Sequence, residues 1–365
     1  MIVPYDESIL ASVAAIRSYL GLAASYPPDP RLVKVLRQRK PKQICLVLIG
    51  ALGANQIARK LPKEAFLNRQ LLYKTMTVFP SSTLAATTAV QSGLSPNLTA
   101  WLGKCEWVQE VKDEVLPFSG EGFYSGKSYG VDFFSKLFPV TFTDEELRQK
   151  GQKALCLLPD FTGNSYPSLH GMIDRLLYQV QQQAVSYLYA YWDHYTTLLH
   201  KYGVDSLEAD RYLRQINQEL EYLAQNLPPE SLLIVVADHG QIDGKEEINL
   251  AHTELAPYFS QRPCIEARCM AFFIKPNKKE EFARHFKEKY SQHFMLLSQR
   301  QVITSKLFGF GDNHPRLSEL IGDYLAIATG DAYFSYNPNV EKENKYIGVE
   351  AGIHKDELFV PVIVA

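Results

Sequence analysis

The stretch Leu232-Leu-Ile-Val-Val-Ala-Asp-His-Gly240 constrains this chain more than any other. Five aliphatic residues run from Leu232 to Val236 without interruption, and the last three are β-branched. A run of this kind lacks the alternation of a half-buried strand. It predicts a strand covered on both faces, as in a parallel sheet with helices above and below. The run stops at Asp238-His239-Gly240. An acid and an imidazole at the carboxyl end of such a strand stand where open α/β sheets bind their ligands. Taken alone, Asp238 could equally cap a turn, with His239 as its polar neighbour.

Other strand ends bear on that choice. Ile44 to Ile49 forms a second buried run and ends at Gly50-Ala-Leu-Gly53, with helical character from Ala54 to Leu61. The glycine spacing is GxxG without a third glycine, so it is not a dinucleotide fingerprint. Leu84 to Ser92 reads as a helix closed by Gly93 and followed by Pro96, the usual C-terminal punctuation. Thr83 then stands at a helix start, where free backbone N–H groups and the helix dipole favour an anion. Ser81, Ser82 or Thr83 could also serve simply as the N-cap.

Residues 5–38 read as helical with a break at Tyr26-Pro-Pro-Asp-Pro30, and residues 104–160 as loops with short elements. Met172 to Ala184 is a helix feeding an aromatic strand, Ser186 to Trp192. Asp205 and Glu208 resemble a capping box opening a helix with Leu213, Ile216, Leu220 and Leu223 on one face. Buried strands separated by helices predict an α/β fold: a doubly wound, mostly parallel sheet with helices on both faces. Residues 256–304 break the rhythm, with strand character at Cys269–Lys275, a charged helix at Lys279–Tyr290 and a strand from Phe294. They read as a small α+β cap inserted in a core made of 1–255 and 305–365, with 1–39 a helical lead-in.

Charge and composition narrow the function classes. The net charge is −2, and no Lys/Arg cluster is interleaved with aromatics, so no nucleic-acid-binding surface is expected. Met1 to Glu7 lacks the basic and apolar regions of a signal peptide, and no apolar run approaches the ~20 residues that span a bilayer. The five cysteines are odd in number and show no CxxC pairing, which suits free thiols in a reducing cytoplasm.

From residue 40 onward the motifs follow a recognisable order. They are Phe79-Pro-Ser-Ser-Thr83, Ser92-Gly-Leu-Ser-Pro96, Tyr191-Trp-Asp193, His200-Lys-Tyr-Gly203, Val236-Ala-Asp-His-Gly240, His314-Pro-Arg316, Gly322-Asp-Tyr324, Gly352-Ile-His354 and Phe359-Val-Pro361. In this order the chain resembles the alkaline phosphatase superfamily, within it the type I phosphodiesterase/nucleotide pyrophosphatase branch. The resemblance implies an alkaline-phosphatase-like fold and hydrolysis of phosphate esters and diesters by two divalent ions, usually zinc. Two ions about 4 Å apart neutralise phosphate oxygens, activate the nucleophile and stabilise the leaving oxygen. It implies Thr83 as nucleophile, Asp238 and His239 as ligands of the ion beside it, and His200 and His354 as ligands of the other.

The departures fall on the metal ligands. The family's first strand ends in Asp-Gly-Leu-Gly, whereas here the acid position is Gly50. The family's Asp four residues before the histidine falls on Thr196. Asp193 and His194 are the nearest substitutes, and Glu350 is a weaker alternative to His354. His252 and His314 read as structural. The expectation is an incomplete site holding fewer than two divalent ions, or none. Hydrolysis would then be weak or absent, with a small phosphorylated molecule, a phosphodiester or a protein partner bound in the inherited cleft. The alternative is an active ester hydrolase that uses Thr83 with one ion or an altered pair.

Overall fold

The computed structural model describes residues 3–159, 166–182, 185–338 and 346–365. The central sheet begins with β1 (Gln43–Ile49), β2 (Leu71–Met76), β3 (Ala154–Leu157), β4 (Tyr187–Trp192) and β5 (Ser231–Val236). The chain then builds a second sheet from β6 (Cys264–Ile265), β7 (Cys269–Phe272), β8 (Phe294–Ser298) and β9 (Tyr324–Ala328), and returns in β10 (Phe359–Val364). The central order is β2-β10-β5-β1-β4-β3. Strands β3, β4, β1 and β5 pair in parallel, and β10 runs antiparallel to both its neighbours. This is the mostly parallel α/β sheet that the unbroken aliphatic runs predict. Ile44 to Ile49 and Leu232 to Val236 are all buried.

Register decides what the sheet presents. Leu48 lies opposite Val236 and Ile49 opposite Trp192, so β1, β4 and β5 end side by side. Gly50, Asp193 and Asp238 therefore leave the sheet along one edge. Three of the expected site positions meet there because the strands are buried to the same depth.

The second sheet is antiparallel throughout, in the order β6-β7-β9-β8. It covers its own core of Phe272, Phe282, Phe286, Phe294 and Phe334, in which the Phe294 and Phe334 rings stack 3.9 Å apart. Tyr324–Ala328, grouped with the core by its sequence position, is the middle of this sheet. The smaller layer thus reaches past residue 304, because an apolar run does not say which sheet it joins. Two local expectations also shift. Ser206 rather than Asp205 caps the Leu207–Asn226 helix, accepting from the Ala209 amide at 3.1 Å. The helix expected to end at Ala184 is described over Leu169–Gln182, and Ala184 lies outside the described residues.

One buried ion pair joins the two layers. The fully buried Arg268 donates through Nε to Glu357 Oε1 at 2.7 Å and through Nη2 to Oε2 at 2.9 Å. Arg268 also donates to the carbonyls of Ala332 and Gly330. Glu357 accepts in addition from the amides of Gly352 and His354. The pair therefore fixes a turn of the second layer and the loop that enters β10. Arg268→Met strands the Glu357 carboxylate and is expected to lower the unfolding free energy by about 3–5 kcal/mol. Adding Glu357→Met should recover most of that loss in urea denaturation. Equal losses in the single and double variants would contradict the pairing.

Candidate functional site

The Asp238 carboxylate is divided between two tasks. Its Oδ1 accepts from the amides of Ala51 at 2.9 Å and His239 at 2.8 Å, and the Thr77 hydroxyl donates to its carbonyl oxygen. Its Oδ2 is buried with no hydrogen-bond partner among the described residues. Burial raises this carboxyl above its ordinary value, although the His239 ring and the two amides pull the other way.

His239 follows at the same strand end. The carbonyl of Gly240 can only accept, so the contact of 2.9 Å from Nδ1 assigns the proton to that nitrogen. Nε2 is thereby turned to Thr83 Oγ1 at 3.0 Å and lies 3.6 Å from Asp238 Oδ2. Burial would lower the imidazole, but the carboxylates of Asp238 and Glu350 outweigh it and raise it.

Thr83 is the first residue of the Thr83–Ser92 helix. Capping falls to Ser82, whose Oγ accepts from the Ala85 amide, so the Thr83 hydroxyl is available to His239. Leu84 to Ser92 are all buried, while Thr83 is only half-buried. Gly93 closes the helix at φ 73°, the left-handed conformation its position requires.

Gly50 and Thr196, on facing turns, meet each other. A Cβ added at Gly50 would overlap Thr196 Oγ1 and approach Asp193 Cα to 3.3 Å. Thr196 Oγ1 is itself buried without a partner among the described residues. The positive φ of this turn falls on Ala51, at 55°, and not on Gly50. A side chain at Gly50 would therefore begin where the Thr196 hydroxyl now lies.

A second group lies toward the cap. His200, on the His194–Tyr202 helix, donates from Nδ1 to the Gly348 carbonyl at 2.8 Å. Its Nε2 faces Glu350 Oε1 at 3.5 Å, and Gln241 holds the other Glu350 oxygen at 2.9 Å. Glu350, the weaker alternative by sequence, is the residue that faces His200. His354 is taken up otherwise: exposed, it caps the Lys355–Leu358 turn by accepting from the Asp356 amide at Nδ1. Asp193 precedes its helix without a side-chain cap bond, and His194 is exposed against Trp192 and Tyr212. The His314 ring packs against Phe138, and His252 is exposed.

Sequence reasoning missed a cavity of about 480 Å³ that begins at His200 and Glu350. Its walls include Phe123, Tyr124, Tyr346, Lys104, Glu247 and Glu266. Burial, reinforced by Glu350, pushes the Glu266 carboxyl up to about 8. Residue 105 of the aromatic segment pairs with residue 265 of the cap. That long-range bridge brings the walls together, and no local signal announces it.

For a metal ion the donors are unequal. Two ligand atoms about 2.1 Å from a tetrahedral zinc are about 3.4 Å from each other. The separations of 3.0 and 3.6 Å from His239 Nε2 to Thr83 Oγ1 and Asp238 Oδ2 suit a shared ion. On the second side, His200 Nε2 and Glu350 Oε1 face each other at 3.5 Å. Among the described residues no cluster of three or more His, Cys, Asp or Glu side chains is placed to hold a metal.

The contact between Gly50 and Thr196 predicts strong coupling. Gly50→Ala should destabilise the protein by about 1–3 kcal/mol through overpacking. In the Thr196→Ala background the same change should cost at least about 1 kcal/mol less. Urea unfolding of the four proteins measures the difference, and additive losses would show that the side chains do not meet.

The type I phosphodiesterase/nucleotide pyrophosphatase model matches residues 168–353, more than half of the 365. A search of curated proteins finds no match. Among solved structures, human ectonucleotide pyrophosphatase/phosphodiesterase 5 superposes with a TM-score of 0.68 at 14% identity, covering 88% of this chain and 87% of that one. Phosphonoacetate hydrolase from Sinorhizobium meliloti, in complex with phosphonoformate, gives 0.67 at 12% identity, with 89% and 90% covered. An inactive variant of the murine phosphodiesterase 5 in complex with AMP gives 0.65 at 13%, with 88% and 87% covered. These likenesses establish the fold, and the family model establishes the lineage. The chain belongs to the type I phosphodiesterase/nucleotide pyrophosphatase family of the alkaline phosphatase superfamily.

Proposed function

We propose that this protein binds a small phosphorylated molecule with its phosphoryl group at the start of the Thr83–Ser92 helix, beside at most one divalent ion. The ion, zinc by the habit of the family, would be held by Thr83 Oγ1, His239 Nε2 and Asp238 Oδ2. Bound there, it would neutralise phosphate oxygens and acidify the threonine hydroxyl. The chain's own contributions are the outward amides of the helix start and the partnerless buried oxygen of Asp238.

Hydrolysis is proposed to be weak or absent. The contact of Gly50 with Thr196 carries this reading. Each ion site of the family has one of its acids replaced here, and the replacements fill each other's space. A phosphoryl transfer assisted by two ions needs charge on both the attacking and the leaving side of phosphorus. His200 and Glu350 leave the second side with two donors. AMP and phosphonoformate in the complexes of the structural relatives support a small phosphorylated or phosphonylated partner as the ligand class.

One observation favours an active hydrolase as the second reading. The Thr83 hydroxyl is half-buried, uncommitted to capping, and in contact with His239. On this reading Thr83 attacks phosphorus with one ion or an altered pair in place.

Metal content and turnover separate the two. Protein saturated with zinc and freed of excess should retain no more than one equivalent by elemental analysis. Release of p-nitrophenol from bis(p-nitrophenyl) phosphate should be no faster than in Thr83→Ala. Two retained equivalents, with turnover lost in Thr83→Ala, would overturn the degenerate reading. Gly50→Asp in the Thr196 background should restore nothing, because Thr196 Oγ1 blocks the new side chain.

A further inference from the structure

The edge of the central sheet opposite the candidate site carries positive charge that the fold leaves unanswered. From Lys34 to Lys42 the chain holds five basic side chains and no acidic one, and all five are exposed. The helix Pro30–Arg39 buries Leu32 and Leu36 against the fold and so turns its charged side outward. Arg31, one turn earlier, is answered by Asp29 at 2.6 Å. Among the described residues Lys34, Arg37, Arg39, Lys40 and Lys42 form no ion pair.

Folding alone does not favour this arrangement. Lys34 and Arg37 stand three residues apart on the helix, as do Arg37 and Lys40, and like charges at that spacing repel. The helix dipole welcomes Arg37 and Arg39 in the last turn, but it gives nothing to Lys34 or to Lys42. Lys40 closes the helix at φ 47° and ψ 51°, a left-handed conformation that glycine adopts without strain. A lysine is kept where local stability favours glycine.

A second segment adds to the same edge. Ala154 and Ile44 both lie opposite Tyr187, so β3 and β1 begin level and the exposed Lys153 stands beside the start of β1. Tyr19 donates to the Pro41 carbonyl at 2.8 Å and Lys150 to that of Gly21 at 3.1 Å, which ties the end of the Ile9–Tyr19 helix to both loops. Glu230, whose carbonyl accepts from the Lys42 amide, is an acid on this edge, and the balance stays positive. The seven residues of β1 put the edge about 23 Å from Gly50. That is more than twice the screening length of about 8 Å at physiological salt, so this charge serves nothing in the cleft.

We propose that this edge is a docking surface for an anionic lipid bilayer, held by Lys34, Arg37, Arg39, Lys40, Lys42 and Lys153. Charge complementarity sets the sign of the partner. The cations come from a helix, a turn and a separate loop, so they follow no regular repeat. A nucleic-acid duplex offers phosphates at fixed spacing, whereas lipid headgroups move laterally to meet the spacing they are given. Leu32 and Leu36 are committed to the fold, so binding is peripheral and electrostatic, with no inserted apolar face. The Thr83 end of the sheet then points away from the membrane. This inference is independent of the phosphoryl reading.

Co-sedimentation with vesicles of phosphatidylcholine alone, and of phosphatidylcholine with about a third phosphatidylglycerol, tests it. The protein should bind the anionic vesicles at least about tenfold more tightly, and raising the salt to about 0.5 M should remove most of that preference. Arg37→Gln, Arg39→Gln and Lys42→Gln together should weaken binding to anionic vesicles at least about tenfold and leave thermal unfolding unchanged. Lys287→Gln, Arg300→Gln and Lys306→Gln together remove the same charge elsewhere and should bind as the unmodified protein does. No preference for anionic vesicles, or equal losses in the two triple variants, would overturn the proposal. Tighter binding to a short DNA duplex than to the anionic vesicles, lost in the first triple variant, would overturn the lipid surface as the partner.

Discussion

The division of labour within the Asp238 carboxylate underlies everything else at this site. One oxygen accepts from two backbone amides and the other is buried without a partner among the described residues. The amide of Ala51 fixes the turn after β1 against the end of β5, so the two strand ends cannot drift apart. A partnerless carboxylate oxygen in a dry environment is costly. It persists because the scaffold around it is fixed by register and by the Arg268–Glu357 pair. The cost falls when a cation or a proton arrives. That is the physical basis of the ligand site proposed here.

The two sides of the cleft are built differently. Thr83, Asp238 and His239 keep their mutual geometry because each is set by an element that the fold needs anyway: a capped helix, a buried strand and a carbonyl acceptor. Gly50 and Thr196 lie on facing turns, and a smaller residue at one makes room for the other. Their present contact is a packed arrangement and not an empty socket. Such an arrangement resists reversal one residue at a time.

Much of this was legible in the sequence for definite reasons. The aliphatic runs at 44–49 and 232–236 could only be buried strands, so the residues after them had to share an edge. Gly93 and Pro96 marked the end of a helix and hence the position of Thr83 at its start. That Glu350 and not His354 faces His200 was not legible. Both lie on one short loop, and Glu357, pinned by Arg268 from a distant strand, makes His354 a cap and leaves Glu350 facing His200. Nor was the contact of Gly50 with Thr196 legible, since it joins residues far apart in the chain. The cavity depends on the bridge between residues 105 and 265, and local patterns are silent about such pairings.

The central claim is that this site holds one ion at most, on the Thr83 side. Anomalous diffraction from a crystal soaked in zinc tests it most directly. The account predicts a single peak bonded to Thr83 Oγ1, His239 Nε2 and Asp238 Oδ2. Two peaks about 4 Å apart, the second bonded to His200, would contradict it.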